Sequence, residues 1–393
     1  MLLSPEFGAG GISGRSVVIR IDDIFIIVVF LGWLAKMAIN KEFGMLRLTV
    51  LNKPIFMYIS ICVLATLIGA LQGYVRIERG VFYVLKYLEY FLLFFLVVNN
   101  LHSVKQAKVF IFFILLTSFF VCIYAWSQLP GGERLSAPFE ATQGTEGEPN
   151  TFAGYLIIIM SLILGLILYA VSQKQRLLLI GLLIFTFIPF VFTLSRGGWL
   201  GFVMMYLSFI LLSRKSKLAL VSIFLCFVLF LPQFMPKRVE ERFQDTFSED
   251  RSYKVLGKDI SLSASAAARV DSWQLGIDRW IKRPLLGYGI PSATLVDNQY
   301  MLVLTETGII GLLIFFWLII RIFSMEWRTY QSCQDNNFAQ GISLGAICGL
   351  VGMLFQSFSS ANFIIVRIME PFWFLTAIIS GLDLIEREDN KIG

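Results

Sequence analysis

The chain has 393 residues, 57% of them hydrophobic and only 15% charged, with a mean hydropathy of +0.74. A soluble domain carries about a quarter charged residues, so this composition excludes a soluble enzyme or binding module and predicts a protein of many membrane spans. The formal charge of +6 comes without a basic tract or an RNA-binding motif, which argues against nucleic acid as a partner and places the lysines and arginines in loops.

Residues 1–20 lack a continuous apolar core followed by small residues, so no cleavable signal peptide is expected. Stretches of about 20 apolar residues then predict helical spans near 21–38, 55–72, 81–98, 108–127, 151–172, 177–194, 197–213, 217–235, 301–323, 339–358 and 362–383. The fold class that follows is an all-α, polytopic transmembrane bundle of about eleven or twelve spans. Its N-terminal helices fill 1–235, a long loop with amphipathic helices fills 236–300, and 301–393 holds the last spans and a short tail. Read as one helix, 177–212 is too long for a bilayer core of about 30 Å, so Ser195-Arg196-Gly197-Gly198 is expected to be a turn at one membrane face.

The positive-inside rule sets the orientation. Lys36, Lys41, Arg47, Lys53, Lys105, Lys108, Lys174, Arg176, Arg214, Lys215, Lys217, Arg321 and Arg328 fall in one set of connections, taken as cytoplasmic; Arg76 and Arg79 run against this assignment. The N-terminus is then outside and the C-terminus inside. Cys62, Cys122, Cys226, Cys333 and Cys348 form no pairing or zinc motif, so neither a disulfide nor a metal site is expected. His102, the single histidine, falls on the cytoplasmic side, so an outer-face site would have to work with carboxylates and arginines.

Three outer connections stand out: 127–150, with Arg134, Glu140, Glu146 and Glu148; the 195–198 turn; and the loop 236–300. In that loop Val270, Trp273, Ile277, Trp280 and Ile281 recur at helical spacing, with Arg269, Asp278, Arg279 and Lys282 on other faces. The mixed cluster PKRVEER (236–242) reads as a solvated interface without a functional role. Within spans, Lys86 with Glu89 and Arg367 with Glu370 are spaced to neutralise each other. Glu306, just inside a span, is either a pore-facing acid or an interfacial one.

Arg196 can be read as an interfacial arginine snorkelling to lipid phosphates. Gly197 and Gly198 favour a sharper reading, since they allow close approach to the backbone where a helix begins with free amide groups, and guanidinium matches phosphate oxygens at two points. Arg269 and Arg134 are less distinctive by spacing alone. Asp297 either acts as a base or caps the helix after it.

Four stretches occur in a telling order: ERLSAPFE…EPNTFAGYL (133–156), LSRGGWLGF (194–202), ARVDSWQLGIDRWIKRPLLGYG (268–289) and DNQYMLVLTETGIIGLL (297–313). Together they resemble the O-antigen ligase and O-antigen polymerase superfamily of polytopic glycosyltransferases. The resemblance implies a bacterial inner-membrane enzyme, working on the extracytoplasmic face without cofactor or metal, that takes an undecaprenyl-pyrophosphate-linked oligosaccharide as donor. It implies catalytic roles for Arg196, Arg269 and Asp297, and substrate contacts for Arg134, Asn150, Ser195, Gly197, Asn298, Tyr300 and Glu306. Membrane lipids and a chain-length regulator protein are the further partners it implies. Ligases of the superfamily usually place a histidine where this chain has Asp297, a departure that favours a polymerase of surface-polysaccharide repeat units. A ligase moving finished glycan to a lipid or protein acceptor is the alternative, and Glu306 and Glu148 are alternative bases. From another class, a transporter of the lipid-linked glycan competes, but no related halves are visible.

Overall fold

The computed structural model describes residues 4, 6–8, 18–39, 47–139, 147–234, 236–244, 251–255, 258–262, 264–291 and 296–392. Helices dominate: α1 (Ile21–Ile39), α2 (Asn52–Leu71), α3 (Ile77–Asn100), α4 (Val104–Gln128), α5 (Pro149–Leu168), α6 (Gln173–Phe192) and α7 (Arg196–Leu212). They are followed by α8 (Lys217–Phe234), α9 (Lys237–Gln244), α10 (Ala264–Lys282), α11 (Gln299–Ser332), α12 (Asn337–Gln356) and α13 (Val366–Ile392). Two short antiparallel hairpins, Glu6–Gly8 with Val18–Arg20 and Arg251–Val255 with Lys258–Leu262, are absent from the sequence expectation. The second follows alternation too short to stand out, with Tyr253 opposite Ile260.

Each predicted span falls on a helix, but among the described residues only 8 helices are long and apolar enough to cross a membrane. Arg196–Leu212 is shorter, and α1 carries Asp22, Asp23 and Lys36. Burial sorts the helices: 89% of the spanning window of α5 lies inside the protein, against 22% for α6, so α5 is core and α6 is rim. The α5–α12 seam is lined with small residues, which allow the close backbone approach that helix association in lipid requires. Gly165 lies against the carbonyl of Gly341, and a Cβ on Gly345 would meet the carbonyl oxygen of Ser161 at 2.8 Å.

The span expected at 301–323 is not a continuous helix. Gly308 (φ 68°, ψ −168°) breaks α11, and a side chain at Gly308 would strike the backbone of Leu285. A broken helix at membrane depth needs partners for the backbone groups it frees. The segment Pro284–Gly289 supplies them: the N–H groups of Tyr288 and Gly289 donate to the carbonyls of Thr305 and Glu306 (both 2.9 Å), while Ile309 N–H donates to Pro284 (2.8 Å).

One end of the bundle collects the predicted cytoplasmic connections. Arg47 donates to the Leu101 carbonyl (3.1 Å), Arg214 N–H to the Tyr330 hydroxyl (3.1 Å), and Lys215 to Asn337 (2.9 Å). At the opposite end, charge enters the helices. Lys86 and Glu89 pair at 3.1 Å as expected, but Glu370 takes Arg20 at 3.0 Å, while Arg367 donates to the carbonyls of Pro138 (2.7 Å) and Phe139 (3.1 Å). Arg20 also reaches Asp23, which bonds Lys86 in turn, so one buried ionic cluster ties α1, α3 and α13 together. Spacing alone suggested a local pair; a chain-distant guanidinium supplied the closer partner.

Candidate anion-binding site

The connection between α12 and α13, residues 357–365, is the hub of the end opposite the lysine-rich connections. Gln356 Nε2 donates to the Asn150 carbonyl at the start of α5 (2.9 Å). Gln299 N–H donates to the Ser357 carbonyl (3.0 Å), and Asn298 Nδ2 to that of Phe358 (3.1 Å), at the start of α11. Ser359 lies against Gly197 at the start of α7, and α13 itself begins at Val366. Four helix N-termini therefore meet around one loop, each bringing the partial positive charge of its helix dipole; at α11 the N–H groups of the first turn are already taken, by the Ser357 carbonyl and the Asn298 side chain.

Ser195 ends the turn expected between α6 and α7 and caps α7: its Oγ accepts from Gly198 N–H (3.1 Å) and donates to Asn150 Oδ1 (2.8 Å). Arg196, half-buried, is the first residue of α7. Leu194 turns the chain with φ 51°, a conformation uncommon for a bulky residue. Arg134 holds that turn, donating from Nε to the Thr193 carbonyl (3.1 Å) and from Nη2 to that of Leu194 (3.4 Å). The room at the two glycines is taken by protein rather than left for a ligand: a Cβ on Gly197 would strike Ser359, and one on Gly198 would lie 2.8 Å from Ala153 Cβ. They bring α7 close to α5 and the hub, which is a packing role.

Asn298 is the cap of α11, accepting from the N–H groups of Tyr300 (2.9 Å) and Met301 (3.1 Å), so the capping role considered for Asp297 belongs to its neighbour. Asp297 is exposed. Tyr300 donates to the Leu354 carbonyl (2.6 Å) and packs on Phe358 with ring centroids 4.9 Å apart. Glu148 accepts from Thr151 Oγ1 (3.1 Å). Glu306 is buried further along α11, within electrostatic reach of Tyr58, Cys62 and Tyr87. Glu140 and Glu146 lie outside the described residues.

The protein-facing side of α10 differs from the expected one. Of the expected apolar residues Val270, Trp273 and Trp280 are half-buried, whereas Ile277 and Ile281 are 40% and 64% exposed, and half-buried Arg269 and buried Gly276 join the covered side. Gly276 faces Met301 and Thr305 of α11. Burial pulls the Arg269 guanidinium down from its ordinary value, Asp297 opposes that shift, and Arg242 adds to it. Arg269 thus lies within electrostatic reach of both Asp297 and Arg242. Sequence reading dismissed the cluster containing Arg242 and Arg238, yet Arg238 also lies against Gly132, beside the Arg134 turn. The mixed charges of α9 gave no sign that Arg242 is half-buried or that the exposed Arg238 reaches Gly132.

Arg196, Ser195, Gly197, Asn150, Asn298, Tyr300 and Arg134 are therefore placed at one hub or its adjoining turn, and Arg269 lies within electrostatic reach of Asp297, the residue before the α11 cap. Guanidinium groups beside converging helix N-termini suit an anion with several oxygens. Residues 180–316 match the family model described as O-antigen ligase. No curated protein matches the chain. The matched stretch contains Arg196, Arg269, Asp297, Asn298 and Tyr300, while Arg134, Asn150 and the hub loop lie outside it. The match over residues 180–316, in a chain with eight described helices long and apolar enough to cross a membrane, supports the O-antigen ligase and polymerase superfamily.

Proposed function

We propose that the protein is a membrane glycosyltransferase that polymerises surface-polysaccharide repeat units, drawing on an undecaprenyl-pyrophosphate-linked glycan at the outer face of the inner membrane. The observation that carries this reading is the convergence of four helix N-termini and Arg196 on the loop between α12 and α13, a seat for a diphosphate.

The acceptor hydroxyl oxygen attacks the donor's anomeric carbon from the face opposite the leaving group. The C1–O bond to the pyrophosphate breaks, and its electron pair leaves with undecaprenyl pyrophosphate. Arg196 and Arg269 stabilise the charge that grows on that oxygen. The hydroxyl proton passes to Asp297, whose carboxylate is free of the capping duty that Asn298 performs. The reaction inverts the anomeric centre and asks for no metal, since guanidinium groups carry the leaving-group charge.

The family description favours a second reading, a ligase delivering finished glycan to a separate acceptor. One assay divides the two: purified protein in detergent with a lipid-linked repeat unit, a chelator and no nucleotide sugar. A ladder of products supports polymerisation, and a single transfer seen only with added acceptor supports ligation. No covalent change under either condition contradicts both and leaves a transporter of the same lipid.

A further inference from the structure

At the end of the bundle opposite the hub, α4, α6, α12 and the last turns of α5 and α13 enclose a groove of about 730 Å³. Its walls are graded. On α4, Lys108 at the mouth is followed deeper by Ile111, Phe112 and Leu115; on α6, Gln175 is followed one turn deeper by Leu179. Among the eight described helices long and apolar enough to cross a membrane these are the two least buried, at 28% and 22%, and Phe112 is 59% exposed, so the groove opens toward lipid. A polar mouth over an apolar interior, opening sideways at the end of a bundle, matches an amphiphile standing in the bilayer.

The mouth carries both signs of charge. Lys108, whose ammonium lies 5.6 Å from the centre of the Phe338 ring, stands near the N-terminus of α12, where helix N–H groups add positive potential. Asp335 and Glu386 line the same mouth. A phosphate finds Lys108 and the helix terminus, and an adjacent primary ammonium finds the two carboxylates. We propose that this groove binds a membrane phospholipid with a primary-amine headgroup, of the phosphatidylethanolamine type. An anionic headgroup without an amine would face the two acids uncompensated, and a quaternary ammonium has no N–H to donate to them. A soluble phosphoethanolamine would leave the apolar wall uncovered.

The test is native mass spectrometry of the delipidated full chain in detergent, titrated in turn with phosphatidylethanolamine, phosphatidylcholine and phosphatidylglycerol of matched acyl chains. Phosphatidylethanolamine is expected to be retained about tenfold over either competitor, a difference of about 1.4 kcal/mol. Asp335→Asn with Glu386→Gln is expected to abolish that preference, and Lys108→Gln to weaken all three phospholipids. Asp335→Asn alone, at an exposed residue, keeps the comparison informative if the double variant unfolds, and is expected to reduce the preference. Equal retention of the three lipids, a preference for phosphatidylglycerol, or indifference to these substitutions would overturn the proposal.

Discussion

Asn298 and Asp297 show how finely residue roles divide at the start of α11. Asn298 satisfies two N–H groups of the first turn and grips the hub loop, whereas Asp297 is exposed beside Arg269. Asn298→Ala is therefore expected to cost about 1 kcal/mol or more of stability, read as a lower thermal midpoint. Asp297→Asn is expected to leave the midpoint unchanged while slowing transfer by about 10²-fold or more. A stability loss from the Asp297 variant with normal transfer would reverse the two assignments. Both residues favour caps, so sequence alone could not choose between them; the backbone decides, because residue 298 is the last with extended dihedrals before the helix. Arg20 was equally hidden. Its charge neutralises Glu370 inside the bundle, and Arg20→Ala is expected to destabilise the protein by about 3–5 kcal/mol in a denaturant titration, since a buried carboxylate loses its partner. A change below about 1 kcal/mol would show that the pair contributes little.

Among the elements, α7 and α11 matter most to the site, and they were not equally legible. The turn before α7 follows from length, since a single apolar helix over 177–212 would overrun the bilayer. The break at Gly308 gave no such sign, because the freed backbone groups are satisfied by the distant segment Pro284–Gly289, a partner that hydropathy cannot reveal. The glycines after Arg196 were legible as a close approach, but not as an approach by Ser359 and Ala153. That reading has a direct test. Gly197→Ala is expected to lower the yield of folded protein and its thermal midpoint, and Ser359→Gly in the same chain should recover part of the loss by vacating the contested space. If Gly197→Ala kept the midpoint and lost only activity, the glycine would serve the ligand rather than the helix contact.

Across the whole molecule, the spans were legible because each needs only a run of apolar residues, whereas the site draws on loops and termini far apart in the chain. Motif order placed Arg196 and Asn298 in one family pattern, but only the folded chain ties both to the α12–α13 connection. The orientation read from loop charge has its own check. With native cysteines replaced, Glu133→Cys is expected to react with a membrane-impermeant maleimide in intact spheroplasts, and Lys105→Cys only after permeabilisation. The opposite pattern would place the hub in the cytoplasm and remove the proposed donor from reach. The central claim is that Arg196 and the gathered helix N-termini hold a diphosphate. Its most direct measurement is the affinity of purified protein for undecaprenyl pyrophosphate and for undecaprenol, in wild type, Arg196→Lys and Arg196→Ala. The account predicts a preference of about 10²-fold or more for the diphosphate, largely lost in both variants while the thermal midpoint holds, because lysine cannot reproduce two-point recognition. Wild-type preference retained by a folded Arg196→Ala protein would contradict it.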